Sequence, residues 1–196
     1  MKQTFRVLAV VFAICACSAI AQADPLTFAT TLAGSNEVPA NVSPGTGLAF
    51  VTINGNFMSV DVVFAGLLGN TTASHIHCCG PVGANAQVAT AVPTFPGFPL
   101  GVQAGTYMMT FDMTLAASYN PAFITSHGGT VTQAQADLFA GILSGQAYLN
   151  VHSNLFPGGE IRGQLVPTPE PATLSLLIGG LIGAAGLVRR RNRAAR

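Results

Sequence analysis

Residues 47–67, GLAFVTINGNFMSVDVVFAGL, contain two runs of strand-forming residues on either side of the pair Gly55-Asn56. A two-residue loop of Gly and Asn between β-branched and aromatic residues is typical of a β-hairpin. In the second run every other residue is apolar, as in a strand with one buried face: Val60, Val62 and Phe64. The stretch therefore predicts two antiparallel strands, at 47–54 and 57–67.

Similar runs predict four further strands along the chain, at 26–32, 106–115, 146–152 and 160–166. Residues 132–143 differ, because alanines, spaced apolar residues and a threonine N-cap favour a short helix there. The Pro- and Gly-rich residues 91–105 predict a loop. Many short strands joined by such turns are typical of a β-sandwich or barrel. We therefore predict one all-β domain over residues 24–166.

The composition excludes several classes of protein. Only 8% of the 196 residues are charged, against about 25% in an ordinary soluble domain. This excludes a disordered charged tail and a coiled coil, whose exposed helix faces need Glu and Lys. Seven of the eight basic residues lie near the chain ends, so residues 24–166 carry one arginine against six acidic residues, a formal charge of −5. That domain offers no basic face for nucleic acid.

The first 23 residues have the three parts of a secretory signal peptide. Two basic residues precede an apolar run at 7–20, which ends in an A-x-A pattern. We predict cleavage between Ala23 and Asp24, which also removes two of the four cysteines, Cys15 and Cys17. A buried N-terminal helix, or a lipoprotein signal that uses Cys17, are the alternatives.

The last 30 residues combine a proline motif, an apolar run and a basic end. Pro169-Glu170-Pro171 precedes a run at 172–188, and arginines follow in 189–196. These 17 apolar or small residues are about the shortest helix that spans a bilayer, and the arginines favour a cytoplasmic end. Residues 167–196 resemble the PEP-CTERM sorting signal, which implies a Gram-negative bacterium, a transient transmembrane helix and cleavage by exosortase. A permanent single-pass anchor is the alternative.

Four histidines occur, all within residues 24–166, and three of them suit a metal site. His75 and His77, in a His-Ile-His motif, project from the same face if they lie on a strand. His152 closes the apolar run at 147–151 and is the candidate third ligand from a neighbouring strand. Imidazole suits copper and zinc, so these histidines predict a transition-metal site. Alternatively, they only hydrogen-bond the backbone in the core.

Five other residues have roles that this pattern leaves open. Adjacent cysteines bridge one another only with strain, so we do not expect Cys78 and Cys79 to pair with each other. They either ligate a soft metal, with Cys78 as the candidate ligand, pair with cysteines of another molecule, or are small buried groups. His127, in a Gly-rich loop, is either a further ligand or an exposed residue. Glu160 and Arg162 lie one residue apart on a predicted strand, so we expect an ion pair; alternatively, Arg162 orients an anion near the metal.

Several motifs of this domain resemble the CHRD domain, first described in chordin. They are LAGSNEVP at 32–39, ASHIH at 73–77, YLNVHS at 148–153 and FPGGEIRGQL at 156–165. The resemblance covers about residues 27–166 and departs from the family at Ser153, where threonine is usual. It implies an exported bacterial domain, but it implies no particular reaction, because the biochemical function of the family is poorly defined.

The order of the His-x-His, His-Gly-Gly and Val-His motifs is also similar to that of the copper ligands in copper/zinc superoxide dismutases. This similarity implies a Greek-key β-barrel in which copper is bound by His75, His77 and His152. It further implies His127 as a fourth ligand and Arg162 as a residue that steers superoxide. The chain departs from those enzymes in lacking an evident zinc-binding aspartate and the disulfide, and in its longer His-Gly-Gly spacing.

These observations support three hypotheses about function. The first is an exported module that binds a transition metal, with copper favoured. The second is a structural or adhesive module of the cell envelope or extracellular matrix, in contact with polysaccharide and without metal. The third is a copper-dependent oxidoreductase. We expect signal peptidase and exosortase to process the chain, and an inner-membrane intermediate to precede the cell surface or matrix. No nucleophile elbow or paired-carboxylate motif points to a hydrolase.

Overall fold

A computed structural model describes residues 24–168 and 180–182 of the chain. Its strands are β1 (Leu26–Ala33), β2 (Thr46–Asn54), β3 (Phe57–Ala65), β4 (Thr71–Cys78), β5 (Gln87–Val88), β6 (Gly105–Asp112), β7 (Ala147–Ser153), β8 (Ile161–Gln164) and β9 (Val166–Pro167). Between residues 24 and 168 it also contains the helices α1 (Pro121–Ser126) and α2 (Val131–Leu143) and the 3-10 turns Gly34–Asn36 and Ala116–Ser118. The predicted β fold and the short helix near 132–143 are confirmed, within a structure that is mostly β with few short helices.

The strands form one antiparallel sheet, curled into a half-barrel. Its order is β5-β4-β7-β8-β1-β2-β3-β6, with β9 paired to β1. The predicted hairpin is present, because Asn54 pairs with Phe57 across the turn formed by Gly55 and Asn56. Gly55 has φ +56°, a conformation that glycine adopts without strain. The hairpin therefore sets the register of β2 against β3, and β6 extends it on the other edge of β3.

The core lies on the apolar face of the sheet, and helix α2 packs against it. Along β3 alternate residues are buried, as the sequence pattern predicts. Helix α2 contributes residues spaced by three and four, namely Ala134, Leu138, Gly141 and Ile142. Its N-cap is Thr130, whose hydroxyl accepts a hydrogen bond from the Gln133 amide at 3.2 Å, so the helix begins one residue before the predicted start. Helix α1 was not predicted.

Several sequence predictions lie outside the described residues. These are the signal peptide at 1–23, the motif Pro169-Glu170-Pro171 and most of the apolar run at 172–188, of which residues 180–182 are helical. Within residues 24–168 and 180–182, no helix combines the length and the hydrophobicity that a membrane crossing requires.

Candidate metal centre

Strands β4 and β7 are paired near one edge of the sheet, and each has an apolar and a polar face. Ile76 of β4 and Leu149 and Val151 of β7 are buried in the core. The residues between them point to the opposite face, because side chains alternate along a strand. In the antiparallel register His75 lies opposite Asn150, and His77 lies opposite Tyr148. The polar face thus collects side chains that are distant in sequence.

Three histidines meet on this face. His75 and His77 come from β4, and His152 comes from β7, where it pairs with Ala73. The ring centroid of His75 lies 5.3 Å from that of His152 and 6.0 Å from that of His77, and the His77 and His152 centroids are 5.7 Å apart. One ring nitrogen of each residue lies within 4.8 Å of the others. We call His75, His77 and His152 the histidine group.

A backbone carbonyl fixes the tautomer of each ring. The Nε2 of His75 donates to the Pro93 carbonyl at 2.8 Å, the Nδ1 of His77 to Ala86 at 2.9 Å, and the Nδ1 of His152 to Pro157 at 3.0 Å. A carbonyl only accepts, so each of these nitrogens carries the hydrogen and the other ring nitrogen presents its lone pair. Those other nitrogens are buried and have no hydrogen-bond partner: Nδ1 of His75, Nε2 of His77 and Nε2 of His152.

The three rings are neutral at neutral pH. Burial, together with the neighbouring His152, lowers the pKa of His75 from 6.5 to about 4. Burial also lowers the pKa of His77 to about 4 and shifts the pKa of His152 below its ordinary value. Neutral imidazole is the form that binds metal, so a metal ion would displace few protons here.

The spacing of the ring nitrogens fits a metal ion. Because no pair is farther apart than 4.8 Å, a point exists within about 2.8 Å of all three nitrogens (4.8 Å divided by √3). A bond from Zn²⁺ to an imidazole nitrogen is about 2.0–2.1 Å long, so a small inward movement of the rings completes the coordination. Three protein ligands with a fourth position open is the arrangement of catalytic zinc sites.

The side chains of Tyr148 and Arg162 pack next to His77, Tyr148 directly and Arg162 through Tyr148. The Tyr148 ring stacks on the His77 imidazole, with centroids 4.7 Å apart and planes at 10°. The guanidinium carbon of Arg162 lies over the same Tyr148 ring, 3.6 Å from its centroid. Arg162 also donates to the Asn85 side chain at 2.9 Å and to the Ala84 carbonyl at 2.8 Å. Arg162 therefore positions residues 84–85, and the next residue, Ala86, accepts the hydrogen bond from His77.

Comparison with known protein families matches residues 28–165 to the CHRD domain. The chain belongs to the CHRD domain family. The CHRD domain contains the whole histidine group, and the PEP-CTERM protein-sorting motif follows it at residues 167–193. That motif is a signal for export and membrane-associated sorting with exosortase processing. Curated proteins and solved structures give no significant match.

The prediction of an ion pair between Glu160 and Arg162 is wrong, because each side chain has other partners within the CHRD domain. The Glu160 carboxylate accepts from the Ser43 hydroxyl at 2.7 Å and from the backbone amides of Leu68 and Gly69. Strand β8 begins only at Ile161, after Gly159 with φ +134°, so the alternation rule does not extend to Glu160. Glu160 joins the loop before β2 to the loop after β3 instead.

His127 does not join the histidine group. It caps the C-terminal end of α1, where its ring stacks on Phe123 at 4.0 Å between centroids. Its Nδ1 lies 2.9 Å from a carboxylate oxygen of Asp137 on α2. The Gly-rich loop around it, which suggested an approach to the metal, instead connects α1 to α2. The prediction of His127 as a further ligand is therefore wrong for this conformation of the CHRD domain.

Cys78 and Cys79 form a disulfide with each other, contrary to the expectation that neighbours stay unpaired. Cys79 has φ +117°, which turns the backbone away from the strand direction at the end of β4. Cys78 is buried in the core, on the face opposite to His77. Its sulfur therefore does not reach the histidine group, and the prediction of Cys78 as a ligand is wrong in this state.

Two buried residues of the polar face escaped the sequence reasoning. Asn150 is 2% exposed and donates from Nδ2 to Oε2 of Glu37 at 3.4 Å. Burial raises the pKa of Glu37 to about 7, although Arg162 and the Asn150 hydrogen bond oppose the shift. The available signal was the position of both residues inside the quoted motifs at 32–39 and 148–153, in a domain with few charges.

Proposed function

We propose that the CHRD domain binds one transition-metal ion through His75, His77 and His152, with copper favoured, and that it does so outside the cell. One observation carries this proposal. One ring nitrogen of each histidine lies within 4.8 Å of the others, and each ring has one buried nitrogen without a partner while its other nitrogen donates to a backbone carbonyl. Metal-binding histidines have this same second interaction, because it fixes the ring orientation and the tautomer.

The alternative, that the rings only serve the core, leaves three ring lone pairs without a donor from the protein. A buried acceptor without a donor costs about 1–3 kcal/mol. One water molecule has two hydrogens, so it satisfies two of the three nitrogens at most. A single metal ion accepts all three lone pairs at once. The energetic cost of the empty arrangement therefore favours a bound ion over a purely structural role.

The donor set narrows the choice of metal. Three neutral imidazoles without a carboxylate or thiolate suit copper or zinc better than magnesium or calcium, which prefer oxygen ligands. Among divalent first-row ions a nitrogen site binds Cu²⁺ most tightly. For this reason we favour copper as the resident ion.

The proposed location is the cell surface or extracellular matrix of a Gram-negative bacterium, reached through a transient inner-membrane intermediate. The predicted signal peptide at 1–23, the predicted transmembrane run at 172–188 and the PEP-CTERM motif support this location. Contact with envelope polysaccharide belongs to the same proposal. The oxidoreductase hypothesis has less support, because the Arg162 side chain is buried and engaged by Tyr148, Ala84 and Asn85.

Metal titration of tag-free protein tests the proposal. We expect calorimetry with a competing chelator to give one Cu²⁺ per chain and weaker binding of Zn²⁺. Electron paramagnetic resonance of the Cu²⁺ form should show coupling to nitrogen ligands. The double substitution His75→Ala and His152→Ala should abolish binding, whereas His127→Ala, outside the histidine group, should leave it intact. Unchanged binding by the folded double variant, checked by circular dichroism, would falsify the proposal.

A further inference from the structure

The Cys78–Cys79 disulfide lies at the end of β4, against helix α2. A Cβ atom at Gly141 of α2 would lie 2.2 Å from the sulfur of Cys78 and 2.9 Å from that of Cys79. Only glycine therefore allows the helix to approach both sulfurs. After the predicted loss of the signal peptide, these two residues are the only cysteines in the chain.

This disulfide is a poor stabilising crosslink. In the chain-entropy account, a disulfide stabilises a fold by closing a loop of the unfolded chain, and the effect grows with loop length. A bridge between neighbours closes no such loop. In addition, Cys79 is a non-glycine residue at φ +117°, a backbone conformation that costs on the order of 1–3 kcal/mol. Stability therefore does not explain the bridge.

The surroundings also suit the reduced state. The Cys78 sulfur lies 4.0 Å from the Leu138 carbonyl, and the Cys79 sulfur lies 3.5 Å from the Asp137 carbonyl. A disulfide sulfur carries no hydrogen, so it donates nothing to these oxygens. Each thiol of the reduced pair would find an acceptor already in place. Helix α2 thus offers compatible contacts to both oxidation states.

We propose that Cys78–Cys79 is a reversible redox site that exchanges two electrons with an external dithiol. Cys78 is 3% exposed and Cys79 is half-buried, so attack is expected at the Cys79 sulfur. A thiolate of the external dithiol bonds to that sulfur, the Cys78–Cys79 bond breaks, and Cys78 leaves with the electron pair and takes up a proton. The second external thiol then loses its proton and attacks the reagent sulfur bound to Cys79. The Cys79 sulfur departs with the electron pair and becomes a thiol, and the reagent becomes a cyclic disulfide.

The proximity of the two cysteines makes a dithiol the expected reagent. After attack by a monothiol, the neighbouring Cys78 thiol attacks the mixed disulfide and restores the original bridge. A dithiol escapes this reversal, because its own second thiol closes a ring. The reaction is independent of the histidine group, since Cys78 and His77 point to opposite faces of β4.

Trapping of the thiols in the folded, full-length protein tests this proposal. The protein is incubated without denaturant in dithiothreitol or in reduced glutathione, treated with N-ethylmaleimide and analysed by peptide mapping. We expect N-ethylmaleimide on Cys79 after dithiothreitol and far less after glutathione, while the buried Cys78 thiol reacts only with a second alkylating reagent added in denaturant. Removal of dithiothreitol and addition of oxidised glutathione should restore the bridge and abolish labelling.

Single substitutions identify the attacked sulfur. In Cys78→Ser the remaining half-buried thiol of Cys79 should form a stable mixed disulfide with oxidised glutathione in the folded protein. In Cys79→Ser the buried Cys78 thiol should stay unmodified. Labelling of Cys79 that requires denaturant, or a pair that never oxidises in oxidised glutathione, would overturn the proposal. Circular dichroism of the wild-type protein in both states shows whether the fold persists, and loss of the fold on reduction would equally contradict it.

Discussion

The side-chain amide of Asn150 donates from Nδ2 to Oε2 of Glu37 over 3.4 Å, while Oε1 of Glu37 and Oδ1 of Asn150 are buried without any partner. Both orphaned atoms are acceptors when the carboxyl group is ionised. A proton on Oε1 supplies the missing donor and allows two hydrogen bonds between the carboxylic acid and the amide. The raised pKa of Glu37, about 7 because of burial, is consistent with a protonated group in the folded protein.

The substitution Glu37→Gln should remove a pH-dependent loss of stability. The folded pKa of Glu37 lies above its ordinary value of 4.5, so the folded state binds more protons between pH 4.5 and about 7. Stability from this group is therefore present at low pH and is lost as pH rises through that window. At pH 8 the loss corresponds to roughly 3 kcal/mol, and the glutamine variant, whose amide mimics the protonated acid, should escape it.

Denaturant unfolding of the metal-free protein at pH 5 and pH 8 measures this difference. We expect Glu37→Gln to be more stable than the wild type at pH 8 and close to it at pH 5. Asp61→Asn, which changes an exposed carboxylate on β3, is the matched control and should follow the wild-type profile. Equal profiles for the wild type and the Glu37 variant would show that the carboxyl group is ionised at no cost.

The histidine group should produce the opposite pH dependence once Glu37 is silenced. The pKa values of His75 and His77 fall from 6.5 in the unfolded chain to about 4 in the fold, so the unfolded state binds more protons in that interval. Stability of metal-free Glu37→Gln protein should therefore rise from pH 4 to 6.5 and level off above it. Each ring contributes on the order of 3 kcal/mol. A flat profile from unfolding measurements in this interval would contradict the prediction.

Tyr148 should affect metal binding through its ring and barely through its hydroxyl. Tyr148→Leu removes the stacking on His77 and the contact with Arg162, so we expect a stability loss of roughly 2 kcal/mol and about 10–100-fold weaker metal binding. Tyr148→Phe keeps the ring and loses the two hydrogen bonds of the hydroxyl, which accepts from the Ala86 amide at 3.1 Å and donates to the Ala86 carbonyl at 3.5 Å, each contributing about 1 kcal/mol. Competitive metal titration compares the two, and equal affinities would contradict a positioning role of the ring.

Much of the fold and part of the site follow from local sequence patterns. The hairpin at 47–67 was predictable because alternation and a Gly-Asn turn act within about twenty residues. His75 and His77 share a face because side chains alternate along a strand. His152 was predicted as a ligand because it lies at the end of a predicted strand. The three histidines come together because their strands are neighbours, since β4 pairs directly with β7.

The failures concern contacts that no local period controls. Glu160 precedes β8 by one residue, so a rule valid along a strand misplaced its side chain. Glu37 meets Asn150 across 113 positions of sequence, a separation over which single-sequence patterns carry no information. The bridge between Cys78 and Cys79 depends on the positive φ of Cys79, which composition does not reveal for a residue other than glycine.

Alanine substitutions at Gly159 and Gly158 test how tightly the loop packs against Glu37 and Asn150. Gly159 has φ +134°, and a Cβ there would lie 2.6 Å from Oε1 of Glu37 and 2.4 Å from Nδ2 of Asn150. A Cβ at Gly158 meets no atom within 4 Å. Gly159→Ala should therefore destabilise the fold by roughly 3 kcal/mol or more, while Gly158→Ala should change stability by about 0.5 kcal/mol or less.

Thermal and denaturant unfolding of both variants, with and without metal, check this expectation. Because Pro157 accepts the hydrogen bond from His152 two residues before Gly159, the Gly159 substitution should also weaken metal binding. Gly158→Ala should keep the wild-type affinity, since its backbone φ is not in the positive region that strains an alanine. Equal behaviour of the two variants would mean that the loop adjusts freely and does not position His152.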